Sequence, residues 1–135
     1  MIRVTVWNEN LSETKYEDVA ALFPKGIHGY LAVLWMARSR TDQAVEALSV
    51  FGKEADLDVR TATMDQPENG LPDEVLENTD VLIWWAHTGH HLVSDGVAWK
   101  VQQRVLRGMG LIVLHSAHLS KPFQLLMARI HCAVH

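Results

Sequence analysis

The sequence has little of what marks specialised protein classes. One cysteine, Cys132, stands among 135 residues, with four prolines and eight glycines. A lone thiol closes no intrachain disulfide, and no Cys-x-x-Cys occurs, so nothing calls for an oxidising compartment. Glycine and proline are too few for a collagen-like or low-complexity chain. No basic run occurs, and 12 Lys plus Arg against 16 Asp plus Glu give a formal net charge of −4, which excludes nucleic-acid binding by charge. Met1 leads directly into Ile2-Arg3-Val4-Thr5-Val6 without a basic segment and apolar core, so no secretory signal is expected. The longest apolar stretches, 27–37 and 81–86, are too short or too interrupted to span a bilayer. The expected address is the cytoplasm, with neither nucleic acid nor membrane as partner. What is present is ordinary globular composition, 48% hydrophobic and 21% charged, enough for one domain with a real core.

Ile2 to Trp7 alternates apolar residues with Arg3 and Thr5 and predicts a first strand. Beyond a polar stretch and the Phe23-Pro24-Lys25-Gly26 break, Ile27, Tyr30, Leu31, Leu34 and Trp35 recur at helical spacing. A second helical pattern follows Thr41, with Ala44, Val45, Leu48, Phe51 and Ala55 on one side. Leu57 to Thr63 predicts a second strand, followed by a turn-rich connection from Pro67 to Pro72. Val81-Leu82-Ile83-Trp84-Trp85 and Leu111-Ile112-Val113-Leu114 are apolar without alternation, as in strands covered on both faces, and both are expected to be central. Between them Ser94 or Asp95 caps a helix carrying Val97, Val101 and Val105 and ending at Gly108. Ser120-Lys121-Pro122 starts the last helix, with Phe123, Leu126, Met127 and Ile130 on its apolar side. Alternating strands and helices imply right-handed βαβ units and a doubly wound, mainly parallel α/β sheet in a single domain, residues 1–135.

In open α/β sheets ligands bind beyond the carboxyl ends of the strands. Those positions here are polar: Asn8 and Glu9, Asp65, His87 with His90 and His91, then His115, Ser116 and His118. Imidazoles and a carboxylate on one rim suit proton transfer or a divalent metal such as zinc. The pairs His87/His90 and His115/His118 have a separation that places both rings on one helical turn; the plainer alternative is solvated loop histidines. His28 opens the first predicted helix, to reach the same rim or to bond its own backbone. His91, His131 and His135 carry no signal. Ser116 lies at a strand-to-helix turn of the kind that carries a nucleophile, but lacks flanking glycines, so a turn or ligand-bonding role stays open. Trp7, Trp84 and Trp85 end their strands beside the rim, where tryptophan either stacks on a sugar or fills the core. No nucleotide or flavin motif is present.

The segments Val4-Thr5-Val6-Trp7-Asn8-Glu9, Gly26-Ile27-His28, Val59-Arg60-Thr61-Ala62-Thr63, Asp80 to His87 and Gly108 to His118 resemble the trehalose-utilisation (ThuA-like) family. The resemblance implies a flavodoxin-related, class I glutamine-amidotransferase-like fold without the amidotransferase cysteine. It further implies a role in the catabolism of trehalose or related disaccharides. It marks Asn8, Glu9, His28, His87, His90, His115, Ser116 and His118 as the pocket. The chain departs from the family pattern at Leu11-Ser12, where a histidine is expected, at His91-Leu92, in place of an acidic pair, and at Ala86 and Ala117, expected to be glycine. The resemblance covers most of this chain but only the amino-terminal half of the family domain, so a sheet truncated after its fourth strand is expected. Surfaces left uncovered that way would favour aggregation or obligate association, for instance as a homo-oligomer.

The roles expected are therefore Glu9, His115, Ser116 and His118 in catalysis, Trp7, Asn8 and Trp85 in ligand binding, and His28, His87 and His90 at a metal. The partner is a small sugar, and the activity a metal-assisted hydrolysis or keto-sugar isomerisation. The rival readings are a sugar-binding module without chemistry and an inactive remnant. A glutamine amidotransferase is excluded, because the only thiol lies far past the turn.

Overall fold

The structure is a computed structural model and describes residues 1–38 and 57–132. The helix expected after Thr41 lies outside the described residues. Four parallel strands, β1 (Ile2–Asn8), β2 (Leu57–Thr63), β3 (Val81–Ala86) and β4 (Gly110–His115), form one sheet in the order β2-β1-β3-β4. This is the flavodoxin-like order, whose topological switch point lies between β1 and β3. The doubly wound α/β expectation holds. No described helix is long and apolar enough to cross a membrane.

The alternation in β1 sends its side chains to two cores. Trp7, Leu82 and Trp84 face one side with Leu71, Leu76, Val97, Val101 and Met109. Val4, Val6 and Ile83 face the other, under Ala32 of α3 (Gly26–Arg38). The Trp7 and Trp84 rings are fully buried and stacked, with centroids 3.9 Å apart. A pair of this size is a large apolar anchor for the sheet centre. Tyr30, predicted on the buried face of α3, is instead 49% exposed and meets Phe23 edge to face.

β3 is central as expected, but β4 is not: among the described strands it forms the edge, and Ile112 is 39% exposed. An apolar run states what a strand tolerates on its faces, not how many neighbours flank it, so the two runs look alike in sequence. Three short helices escaped the periodicity: α1 (Leu11–Lys15), α2 (Glu17–Leu22) and α4 (Asp73–Glu77). Of the two proposed caps for α5 (Asp95–Leu106), Ser94 is the one, its hydroxyl accepting from the Val97 amide at 3.2 Å. α6 (Lys121–Cys132) lies against α5, where the Gln102 amide donates to the Leu125 carbonyl at 2.9 Å. At the amino ends of β1 and β3, Arg3 and Asp80 pair side chain to side chain at 2.7 and 3.0 Å, and the Arg3 amide adds a third bond at 2.8 Å. These donors hold the Asp80 carboxyl well below the usual carboxylate range.

Candidate functional site

The parallel register sets Ala86 of β3 beside His115 of β4, so the next residues, His87 and Ser116, leave the sheet side by side. The Ser116 hydroxyl lies 2.9 Å from Nδ1 of His87 and 2.9 Å from Nδ1 of His115, with the Ala86 and His87 carbonyls at 3.3 and 3.4 Å. The two imidazoles meet edge to face with centroids 4.7 Å apart. A hydroxyl has one proton, so it can donate to at most one of the two nitrogens. The other imidazole must present Nδ1–H to the oxygen, and when neutral it therefore carries a bare Nε2. The arrangement thus leaves at least one basic ring nitrogen whenever both rings are uncharged. Both histidines are exposed, so this nitrogen faces solvent and ligand.

Backbone strain is concentrated at the same place. His115 adopts φ 59°, ψ −133°, positive φ on a residue with a Cβ. Such a conformation costs about 1–3 kcal/mol and persists only where the surroundings enforce it. The strand-to-helix turn is therefore real, but its strained residue is His115 rather than Ser116, which follows in a 3-10 turn (Ser116–Leu119). Trp85 sends its ring to 5.7 Å from that of His115, on the face opposite Trp7.

The His-x-x-His pairs do not act as pairs. A separation of three brings rings together only on a helix, and here each pair straddles a strand end and a turn. The association that forms runs between the pairs, from His87 to His115. His118 is exposed on its 3-10 turn, and both ring nitrogens of His90 are buried without a hydrogen-bond partner among the described residues. No three His, Cys, Asp or Glu side chains among the described residues come together in a way that could hold a metal ion. The donor set expected from His28, His87 and His90 is thus not assembled.

A second polar cluster lies at the end of β1 and is buried. Glu9 is 1% exposed, and its carboxylate accepts the Thr88 amide at 3.0 Å and the Gly89 amide at 2.7 Å. It ties the loop after β3 to the end of β1 across the switch point. Gly89 makes room for that approach, since a Cβ there would stand 2.9 Å from the carboxylate and 2.6 Å from the Leu11 side chain, and one of them would have to shift. Asn8, fully buried, donates from its side-chain amide to Glu13 at 2.6 Å and to Nδ1 of His28 at 3.1 Å, while its side-chain Oδ1 accepts the Asn10 backbone amide at 3.0 Å. Glu13 also accepts the Ile27 amide at 2.8 Å and so fixes the start of α3; its other oxygen is buried without a hydrogen-bond partner among the described residues. Burial lowers the His28 pKa below its ordinary value, against the opposing pull of Glu13 and Asp65. The His28 ring folds back over Gly26, whose φ of 67° suits glycine and whose missing Cβ leaves room for the ring.

Trp7 offers no face to a sugar. It is fully buried against Trp84, and its indole N–H donates to the Asn69 carbonyl at 2.7 Å, so the stacking expected of it gives way to core packing. Sequence reasoning missed Glu13, Thr88 and Gly89. For Glu13 a signal existed: Asn10-x-x-Glu13 has capping-box spacing and marks a helix start, although Asn10 makes no side-chain cap bond.

A groove of about 600 Å³ opens beside His87 and Thr88 and runs along α1 to Tyr16. Its volume is in the range of small-molecule sites. A family model described as trehalose utilisation, ThuA, matches residues 32–131. That span includes the His87, His115 and Ser116 cluster, while Asn8, Glu9, Glu13 and His28 precede it. No curated protein matches the chain.

Proposed function

Since the chain belongs to the ThuA family of trehalose utilisation, we propose that it binds a disaccharide or its keto derivative and catalyses proton transfer on it with His87 and His115. The carrying observation is the bridge from Ser116 to both Nδ1 atoms, which orients two exposed rings and leaves a basic nitrogen. Isomerisation of a keto-sugar fits this equipment. A base removes the proton next to the carbonyl and an acid returns it at the neighbouring position, and two imidazoles can serve both steps near pH 7. Glycoside hydrolysis by paired carboxylates fits less well. Glu9 has both oxygens engaged by backbone amides, and Glu13 is buried behind Asn8. Ser116 serves as the shared hydrogen-bond partner that orients the rings, and Trp85 borders the sugar beside His115. Among the described residues His28, His87 and His90 do not come together as a three-ligand metal centre. The cytoplasm is the compartment that suits a chain with one cysteine.

The test is exchange of the hydrogen next to the ketone of keto-trehalose in D2O, followed by NMR. Wild-type protein accelerates it, and His115→Ala and His87→Ala each lose roughly 10²–10⁴-fold, the range for a general acid or base. Unchanged exchange in both variants overturns the assignment. Saturable sugar binding without any exchange in the wild type identifies a binding module instead.

A further inference from the structure

We infer that the groove along α1 holds the second ring of a disaccharide and that Tyr16 is the residue selecting two-ring over one-ring ligands. This rests on the sugar reading above and assigns residues that reading does not use. Two features of the fold place the groove. First, the strand order sets the ends of β1, β3 and β4 in a row, with His87 in the middle. Neighbouring strands stand about 4.8 Å apart, so the row spans roughly 10 Å across the sheet end. A ligand whose reacting ring lies over His87 and His115 has its remaining ring directed either off the β4 edge or toward α1. The second direction offers walls, because the groove that His87 lines continues to α1.

Second, the lining has the chemistry of a sugar subsite. Of the residues that line it, Ser12, Thr14, Tyr16 and Thr88 carry hydroxyls and Lys15 an ammonium. Hydroxyls both donate and accept, as a polyol requires. Thr14 spends its proton on the Asn10 and Leu11 carbonyls at 2.9 and 3.0 Å, which leaves its lone pairs to accept. Tyr16 sits in extended backbone between α1 and α2, half exposed, with the Lys15 ammonium 5.4 Å from its ring centroid. An aromatic ring with a polar tip is suited to pack on the apolar face of a pyranose while bonding its rim. α1 has five residues, too short to be stable alone. Its position comes from Glu13, bound to Asn8 and to the start of α3. The buried cluster thereby positions the groove wall.

Isothermal titration of the full chain with trehalose and with glucose tests this. Tyr16→Ala is expected to weaken trehalose binding about fivefold to tenfold, the effect of one aromatic contact, and to change glucose binding less, so that the trehalose-to-glucose affinity ratio falls. Tyr16→Phe retains the ring and keeps most of the ratio. Because Tyr16 is half exposed, its truncation leaves the core intact. An unchanged ratio in Tyr16→Ala, with both sugars still bound, overturns the subsite and leaves the sugar reading standing. Wild-type protein that binds neither trehalose nor glucose overturns the subsite, and if it also fails to accelerate keto-trehalose exchange the sugar reading falls with it.

Discussion

Two polar clusters stand at the carboxyl ends of neighbouring strands, and they differ in nearly every physical respect. At β1 the groups are buried: Asn8 and Glu9 lose almost all contact with water, and both Glu9 oxygens accept backbone amides. At β3 and β4 the imidazoles are exposed, their shared partner is a single hydroxyl, and the backbone at His115 is strained. A buried polar group must be paired to be tolerated, so pairing at β1 reads as scaffold. Strain beside exposed titratable rings has no such structural necessity, and it is the combination found where a site is held ready. Residue types alone would have ranked Glu9 with His115; their surroundings separate them.

The difference is tested most strongly by removing Glu9. Glu9→Ala leaves the buried Gly89 amide and the partly buried Thr88 amide without their acceptor, and a loss of about 2–4 kcal/mol is expected. Urea unfolding checks it. A loss under about 0.5 kcal/mol would mean that the β1 cluster is not scaffold.

His115→Gly should move stability the other way. The substitution releases positive-φ strain of about 1–3 kcal/mol and gives back part of it as unfolded-state entropy, for a net gain of about 1 kcal/mol. Loss of keto-sugar exchange with gain in stability, in one variant, would be the signature of strain kept for function. A destabilised His115→Gly would show that the turn is not strained, and the contrast between the clusters would then rest on exposure alone.

The sequence made one half of this contrast legible. β3 was readable because Val81 to Trp85 is apolar throughout, and the gathering of histidines at strand ends followed from the order of elements. That His87 would meet His115, not His90, was not readable. Ring proximity at a separation of three presumes a helix, whereas these segments are turns whose approach is set by the register of Ala86 against His115. α1 was missed for a related reason: five residues show no period, and the helix is held by a long-range bond from Glu13 to Ile27. Burial of Trp7 was likewise a tertiary outcome, decided by the Trp84 ring on the adjacent strand.

The smallest expected effect concerns His28, where the buried cluster titrates. Its Nδ1 faces the Asn8 amide hydrogen, so a neutral ring already carries its proton on Nε2, and charging it requires a proton on Nδ1 against a donor. With burial also lowering the folded pKa, the unfolded chain binds more protons below its ordinary value of 6.5. Stability then rises with pH through that window. The contribution is complete above about 6.5 and is lost as pH falls through the lower folded value. Glu13 and Asp65 oppose the shift, which keeps it modest. Melting temperatures of wild type and His28→Gln between pH 7.5 and 5 measure it: the wild type should lose more on acidification than the variant. Equal slopes would mean that protonation of His28 is not linked to folding, and the reading of the β1 cluster as a closed, buried scaffold would need to be redrawn.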